Sequence, residues 1–301
     1  MMASTRWTYR FATGLALMGS VALLGCAASG PVPATAVSSV AVDDDDLTAD
    51  LSEHHRHHHQ GGVTMFIALS LDTLGLPPER QAVVAQIQSD LFARIEPARA
   101  SGQRVLTALA DGMAAGAIDE ARVDAAIAEL GSTSGLVHAA TVGALNQLHA
   151  ALTPPERAAL VDKIAAHWAV FRQADDDDQV AKGRRAGHLA ELAGEIGLSS
   201  DQVDRIGVSL RAAPRPAGAG DPAEIDAYLA RLGAFRGDAF DAGALSGGAA
   251  ANAHVAARGA TRMARFYEAV DPVLTPEQRA ELVLLLREHA AHKDEAFIAA
   301  H

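Results

Sequence analysis

The chain has 301 residues, 37 acidic against 25 basic side chains, a formal net charge of −12 and one cysteine. The acidity excludes the basic footprint that nucleic-acid binding needs, and argues equally against charge-driven docking on anionic lipid. A lone cysteine excludes an intramolecular disulfide, and 4% aromatic residues with abundant alanine favour helix over sheet.

The first segment reads as a targeting element. Arg6 and Arg10 precede an apolar run from Phe11 to Leu24, too short for a membrane span and shaped as a secretory signal. It ends in Leu23-Leu24-Gly25-Cys26, the pattern of a bacterial lipobox. Residues 1–25 are therefore expected to be removed and Cys26 acylated. Ala27 is not an aspartate, which points to the outer membrane, with the body facing the periplasm. Loss of Arg6 and Arg10, with no acid lost, leaves about −14 on residues 26–301.

Residues 26–62 are poor in large apolar groups. They hold an acidic run, Asp43 to Asp46, and the tract His54-His55-Arg56-His57-His58-His59, and read as a flexible tether. A helix is expected over 63–74. Another starts near Pro78, with Val83, Val84, Ile87, Leu91 and Ile95 three and four apart. Gly102 and Gly112 predict breaks around a short helix. A long helix starts near Asp119 and carries a stripe of Val123, Ile127, Leu130, Val137, Thr141, Leu145, Leu148 and Leu152, with Gly131 and Gly135 as bend points. A further helix from Pro154 places Leu160, Val161, Ile164, Trp168 and Phe171 on one side. Residues 173–184, with Asp175 to Asp178 and Gly183, read as an acidic linker. In 185–301, Leu189, Leu192 and Ile196 precede an irregular loop around Pro214 to Gly220. A long helix from Phe240-Asp241 then carries Leu245, Met263, Tyr267 and Val270, and a last one carries Leu282, Val283 and Leu286. No stretch alternates with period two, so no sheet is expected.

The helix starts recur. Leu152-Thr153-Pro154-Pro155-Glu156-Arg157 returns as Leu274-Thr275-Pro276-Glu277-Gln278-Arg279, an offset of 122 (274 against 152). Leu74-Gly75-Leu76-Pro77-Pro78-Glu79-Arg80 returns as Ile196-Gly197-Leu198-Ser199-Ser200-Asp201-Gln202, again at 122 (196 against 74). One offset at two separated signals indicates duplication of a whole unit. Thr275 with Gln278, and Ser199 with Gln202, have the spacing of a capping box. Pro154 and Pro276 suit the first helical position, where no N–H is needed. Pro77 replaces the hydroxyl residue in the first copy and weakens that cap.

On these motifs each unit resembles the Spy/CpxP superfamily of periplasmic LTxxQ-motif proteins. The lead-in is His54 through Met65-Phe66, the first motif Leu76-Pro77-Pro78-Glu79-Arg80, and the second Leu152-Thr153-Pro154-Pro155-Glu156. The stretch from Ile118 to Ala128 is similar to the family's central helix start. The resemblance covers most of residues 54–301, once per half. It implies an all-α fold of two tandem helical-hairpin units, 63–172 and 185–301, forming an extended, cradle-like pseudo-dimer. It also implies a stress-response binding protein: an ATP-independent chaperone for unfolded or damaged envelope proteins, or a sensor-kinase partner. The rival is a His-rich metal-binding or metal-resistance protein; a structural envelope spacer is a third reading. The chain is acidic, whereas the chaperone-type cradle is basic on its concave side.

Candidate chemistry is sparse. His54, His55, His57, His58 and His59 are the candidate metal ligands, since neutral imidazoles on a flexible segment suit Zn, Ni or Cu. His167 and His289 match at offset 122 and read as helix-surface residues or as one shared site; His289 and His292 are three apart. Arg258, Arg262 and Arg265 fall on one helix face, a candidate client-binding surface whose alternative is a solvated face. No nucleophile motif, Gly-rich phosphate loop or HExxH occurs, so no enzyme is expected and no cofactor required. The membrane contact expected is the lipid anchor alone: Cys26→Ser is predicted to block cleavage at that site and abolish labelling by a palmitate analogue. An unlabelled wild-type protein in a bacterium with a lipoprotein pathway would refute the anchor.

Overall fold

The computed structural model describes residues 61–180, 185–212 and 222–291. All belong to one compact unit, Val42–His301. Among them are nine α-helices and no strand, so the fold is all-α: α1 Val63–Asp72, α2 Pro78–Ala115, α3 Glu120–Ala151, α4 Pro154–Val180, α5 Arg185–Ile196, α6 Ser200–Ala212, α7 Pro222–Leu232, α8 Gly248–Val270 and α9 Pro276–Ala291. Three 3₁₀ turns, Gly233–Arg236, Ala242–Ala244 and Asp271–Val273, join the later helices. Elements starting at 63, 78, 120 and 154 have counterparts starting at 185, 200, 242 and 276, each 122 further on.

Several expectations need correction. The glycines of α2 do not break it: the helix runs unbroken for 38 residues with Pro97 inside. A Cβ at Gly112 would come within 2.7 Å of the Ile118 Cα, so this glycine admits the returning chain. The turn is made instead by Gly116, at φ 102°, whose N–H bonds back to Gly112 and Met113. Residues 173–180, expected as linker, continue α4. No glycine or proline follows Pro155 until Gly183, so nothing local stops the helix. The second long helix does not begin at Asp241. That residue caps the 3₁₀ turn Ala242–Ala244, and Gly247 at φ 86° delays α8 to residue 248.

The stripes read from sequence are buried, among them all eight positions from Val123 to Leu152 and all five from Leu160 to Phe171. Val83 is 51% exposed, and Leu245, Met263 and Tyr267 are only partly buried. The stripes do not feed one core. Val137, Leu145 and Leu148 of α3, with Leu152 at its C-cap, join α1, the first part of α2, and α4. Val123, Ile127 and Leu130 of the same helix join the later part of α2 with α5, α6, α8 and α9. In exchange, Ile225, Tyr228, Leu232, Phe235 and Ala242 of the second half lie in the first core. Each core therefore contains a piece of both halves.

The exchange pivots on α3 against α8. Gly131 faces Ala253 and Ala257, and Gly135 faces Ala249 and Ala253. Ala253 and Ala257 are themselves the positions 122 beyond Gly131 and Gly135. Small residues on both sides let two antiparallel helices approach closely. Gly131 and Gly135 thus mark a packing seam within an unbroken helix.

The helix α1 is apolar on every side and nine consecutive residues from Val63 to Leu71 are buried. Its N-terminus has no local side-chain cap. Asn252 of α8 supplies one: its Oδ1 accepts from the Thr64 N–H at 3.1 Å, and its Nδ2 donates to the Thr64 hydroxyl at 2.6 Å. Thr64 Oγ1 also meets Thr141 Oγ1 at 2.5 Å, so all three buried polar side chains are partnered. Gly62 permits this approach, since at φ 62° a Cβ would lie 2.4 Å from the Asn252 carbonyl oxygen. Gly75 has the same φ of 62° but open space around it. Gly75→Ala is predicted to cost about 1 kcal/mol of stability from conformation alone. Gly62→Ala adds the backbone clash and is predicted to cost at least ~2 kcal/mol more in urea unfolding. Equal costs would show that α1 can shift freely from α8.

Candidate functional site

The motif residues build helix starts and then tie them in pairs. At α9, the Gln278 N–H donates to Thr275 Oγ1 at 3.3 Å and Gln278 Oε1 accepts from the Thr275 N–H at 3.0 Å. At α6, Ser199 and Gln202 repeat the box at 3.3 and 2.8 Å. The two glutamines then meet: Gln202 Nε2 donates to Gln278 Oε1 at 2.7 Å and to the Val273 carbonyl at 2.8 Å. Gln278 Nε2 donates to the Gly197 carbonyl at 2.9 Å. Subtracting 122 gives Arg80 and Glu156, and these also meet, with Arg80 Nη2 2.9 Å from Glu156 Oε1. The other carboxylate oxygen accepts from the Thr153 N–H and hydroxyl at 2.8 and 2.7 Å. One half uses an amide pair where the other uses an ion pair.

Pro77 gives α2 no side-chain cap, and Glu79 in its first turn is exposed. Leu152 and Leu274 are buried, while Leu76 and Leu198 pack at the edges of the first and second cores. Pro154 and Pro276 open their helices as expected.

A second pair of junctions crosses between the halves. Arg279 of α9 donates to the Gly116 carbonyl at 3.2 Å and lies 3.0 Å from Asp271 Oδ1. Burial pushes the Asp271 carboxyl up, against Arg279 and a hydrogen bond from the Ile118 backbone. At the equivalent place Arg157 of α4 lies 3.2 Å from Asp238 and 3.2 Å from His149 Nε2. His149 stands where the other half has Asp271. Its ring packs between Phe235 and Phe240 at 5.4 and 5.2 Å, and its Nε2 is 2.8 Å from the Gly237 carbonyl. The signal for these junctions was an arginine at the same motif position in both halves, Arg157 and Arg279.

The candidate client surface is occupied from within. Arg258 is buried at 8% exposure. Arg262 lies over the Phe171 ring at 5.2 Å, a cation–π contact. Arg265 pairs with Glu268 and sits 3.7 Å from Glu120 and 3.8 Å from Asp124. Burial pushes the Glu268 carboxyl up against the pull of Arg265. The matched histidines diverge: His167 is buried and stacked on Phe66 at 6.0 Å, whereas His289 is exposed. His167 is therefore not the helix-surface residue expected, whereas His289 is. Among the described residues no three His, Cys, Asp or Glu side chains are grouped to hold a metal. His54, His55, His57, His58, His59, His292 and Cys26 lie outside the described residues. No described helix is long and apolar enough to cross a membrane.

Residues 47–182 match a family model described as heavy-metal resistance, a helical Spy/CpxP-like family. The match spans the histidine tract and all of α1 to α4. No curated protein and no solved structure matches the chain.

The Arg80–Glu156 pair is the testable difference between the halves. Glu156→Gln alone leaves Arg80 without its carboxylate and is predicted to cost about 1 kcal/mol in urea unfolding. Adding Arg80→Gln recreates the amide pair of the other half and should recover much of that loss. Burial raises the Glu156 carboxyl, but the bonds from Thr153 and Arg80 outweigh it and hold it below its ordinary value of 4.5. Its contribution is therefore present above that value and lost as pH falls through the lowered one. The double variant should lack this acid-dependent loss; additive single effects would show that the two side chains are not coupled.

Proposed function

We propose that this is a non-catalytic, metal-binding envelope protein of the heavy-metal-resistance type, in which the histidine tract takes the metal and the helical body acts as its scaffold. The observation that carries this reading is the span of the family match, which takes in His54 to His59 together with α1 to α4. The chemistry of the tract supports it, since several neutral imidazoles on one segment can adopt tetrahedral or square arrangements around Zn, Ni or Cu. In this reading Cys26 carries the lipid anchor, on the periplasmic side of the outer membrane, and the two halves act as a covalent pseudo-dimer. The common offset of 122 and the reciprocal junctions of Arg157 and Arg279 support the pseudo-dimer.

The chaperone and sensor-partner readings are less favoured, because the arginines proposed to meet a partner are engaged within the body. Titration of the full chain with Zn and Ni, followed by calorimetry, tests the assignment. Replacing His54, His55, His57, His58 and His59 with Ala should reduce affinity at least tenfold and leave the thermal midpoint unchanged. Affinity of the unaltered chain should fall near and below about pH 6.5, as imidazoles protonate. Unchanged affinity in the five-fold variant would move the site elsewhere. Suppression of client aggregation without metal binding would restore the chaperone reading.

A further inference from the structure

We propose that the start of α8 is a binding site for a small free tetrahedral oxyanion of the phosphate or sulfate type, built from the Gly247–Ala250 backbone, Arg231, Tyr228 and His138. The site is separate from the histidine tract and does not rest on the metal reading.

The helix α8 begins with nothing local to satisfy its N-terminus. Gly247, at φ 86°, offers no side-chain cap, and the first turn has no acidic residue. The first intrahelical bond runs from the Ala251 N–H to the Gly247 carbonyl. The N–H groups of Gly248, Ala249 and Ala250 therefore have no acceptor within the helix, at the end where its dipole is positive. Ser246, Gly247, Ala249 and Ala250 are exposed, so an anion can reach this end from solvent.

Side chains from two other helices converge there. From α7, Arg231 Nε donates to the Ser246 carbonyl at 3.2 Å, and Nη2 lies 2.9 Å from where a Cβ of Gly247 would be. The guanidinium is thus held beside the helix end. The neighbouring acids are committed elsewhere: Glu224 to His254, Asp226 to Trp168 and Arg172, and Asp241 to the Gly243 N–H. From α3, His138 covers Gly248, with Nδ1 2.6 Å from the position of a Gly248 Cβ. Tyr228 of α7, only 1% exposed, meets the His138 ring edge-on at 5.9 Å.

Tyr228 Oη and His138 Nδ1 are both buried without a hydrogen-bond partner. The other buried orphan atoms among the described residues belong to ion-paired groups: Arg157 with Asp238, His254 with Glu224, Glu268 with Arg265, and Asp271 with Arg279. Tyr228 and His138 have no such compensation, and they are neighbours at an uncapped helix end. Buried polar atoms left unpaired cost stability, so the pair points to a group that the chain itself does not supply. Burial pushes the Tyr228 phenol up to about 12, against the pull of Arg231, so it keeps its proton and can donate. A neutral His138 with its proton on Nδ1 can donate as well. Donors from a helix end, α7 and α3 suit four oxygens set tetrahedrally better than two coplanar ones.

The equivalent place in the other half is built differently. The counterparts of Tyr228, Arg231 and His138 at the offset of 122 are Leu106, Leu109 and Ala260, all buried in the second core. There α3 starts with Asp119, whose Oδ1 accepts from the Arg122 N–H at 3.1 Å, and with Glu120 in its first turn. Asp241, the counterpart of Asp119, caps a 3₁₀ turn instead and leaves α8 open. Three apolar positions of one copy are polar in the other, and all three meet at one helix end.

Titration of the metal-free full-length chain with sulfate and with inorganic phosphate, at constant ionic strength and followed by amide NMR shifts, tests the site. Shifts at residues 247–250 should saturate with a Kd below about 1 mM, and acetate should bind at least ~10-fold more weakly. Arg231→Gln and Tyr228→Phe should each weaken sulfate at least ~5-fold, whereas Arg122→Gln at the start of α3 should change it less than ~2-fold. Tyr228→Phe removes a hydroxyl without a partner, so the thermal midpoint of the anion-free protein should not fall. Absence of saturable shifts with either oxyanion, acetate binding as tightly, or unchanged affinity in both variants would overturn the proposal. A lowered midpoint in anion-free Tyr228→Phe would also overturn it, by giving that hydroxyl a partner in the unliganded core.

Discussion

The close crossing of α3 and α8 is the constraint on which the rest of this fold depends. Gly131 and Gly135 remove the side chains that would keep the backbones apart, and Ala249, Ala253 and Ala257 do nearly the same from the other side. Helices that meet at a seam of small residues continue past it in opposite directions. The first part of α3 then lies on the second half of the chain, and the α7 region lies on the first. Neither half can complete a core from its own residues once that crossing is in place.

Exchange of core segments creates a polar problem at each end, because loops and helix termini become enclosed by the other half. The solutions are built from motif residues. Arg157 and Arg279 reach from the first turn of α4 and α9 to the loop of the opposite half. Glu156 and Gln278 brace the neighbouring helix start. The LTxxQ-type motif therefore serves as a joint between helices as well as a cap. The two copies solve the same geometry with different chemistry: an amide pair and an aspartate in one, an ion pair and a histidine in the other. The helices of the two ends correspond although the side chains that join them differ.

The body spends its charged groups on itself. Arg258, Arg262 and Arg265 line up on one face of α8, yet all three are engaged by neighbouring elements. The helix α1 is buried in the first core from Val63 to Leu71, with Asn252 closing its N-terminus. The histidine tract ends at His59, three residues before Gly62, so the metal-binding segment of the proposed function would end close in sequence to a helix whose residues Val63 to Leu71 are all buried.

Local chemistry determined much of this fold from sequence. The capping boxes at Ser199 and Thr275, the prolines opening α4 and α9, and the apolar stripes of α3 and α4 depend on residues a few positions apart, and all stand as the sequence indicates. The offset of 122 was equally legible, since it compares the chain with itself. Periodicity reports which face of a helix is apolar, not which partner covers it. That is why the stripe of α3 gave no hint that Leu130 and Val137 belong to different cores. Glycine has the same ambiguity. Gly112 admits a returning backbone and Gly131 and Gly135 admit a neighbouring helix, whereas Gly116, Gly197 and Gly247 sit at positive φ at the ends of helices. Sequence determined where the helices start and which sides they bury. Only the tertiary structure decided that the halves exchange segments, that His149 takes the place of an aspartate beside a buried arginine, and that the arginine face of α8 is an internal surface, because each depends on groups brought together from distant parts of the chain.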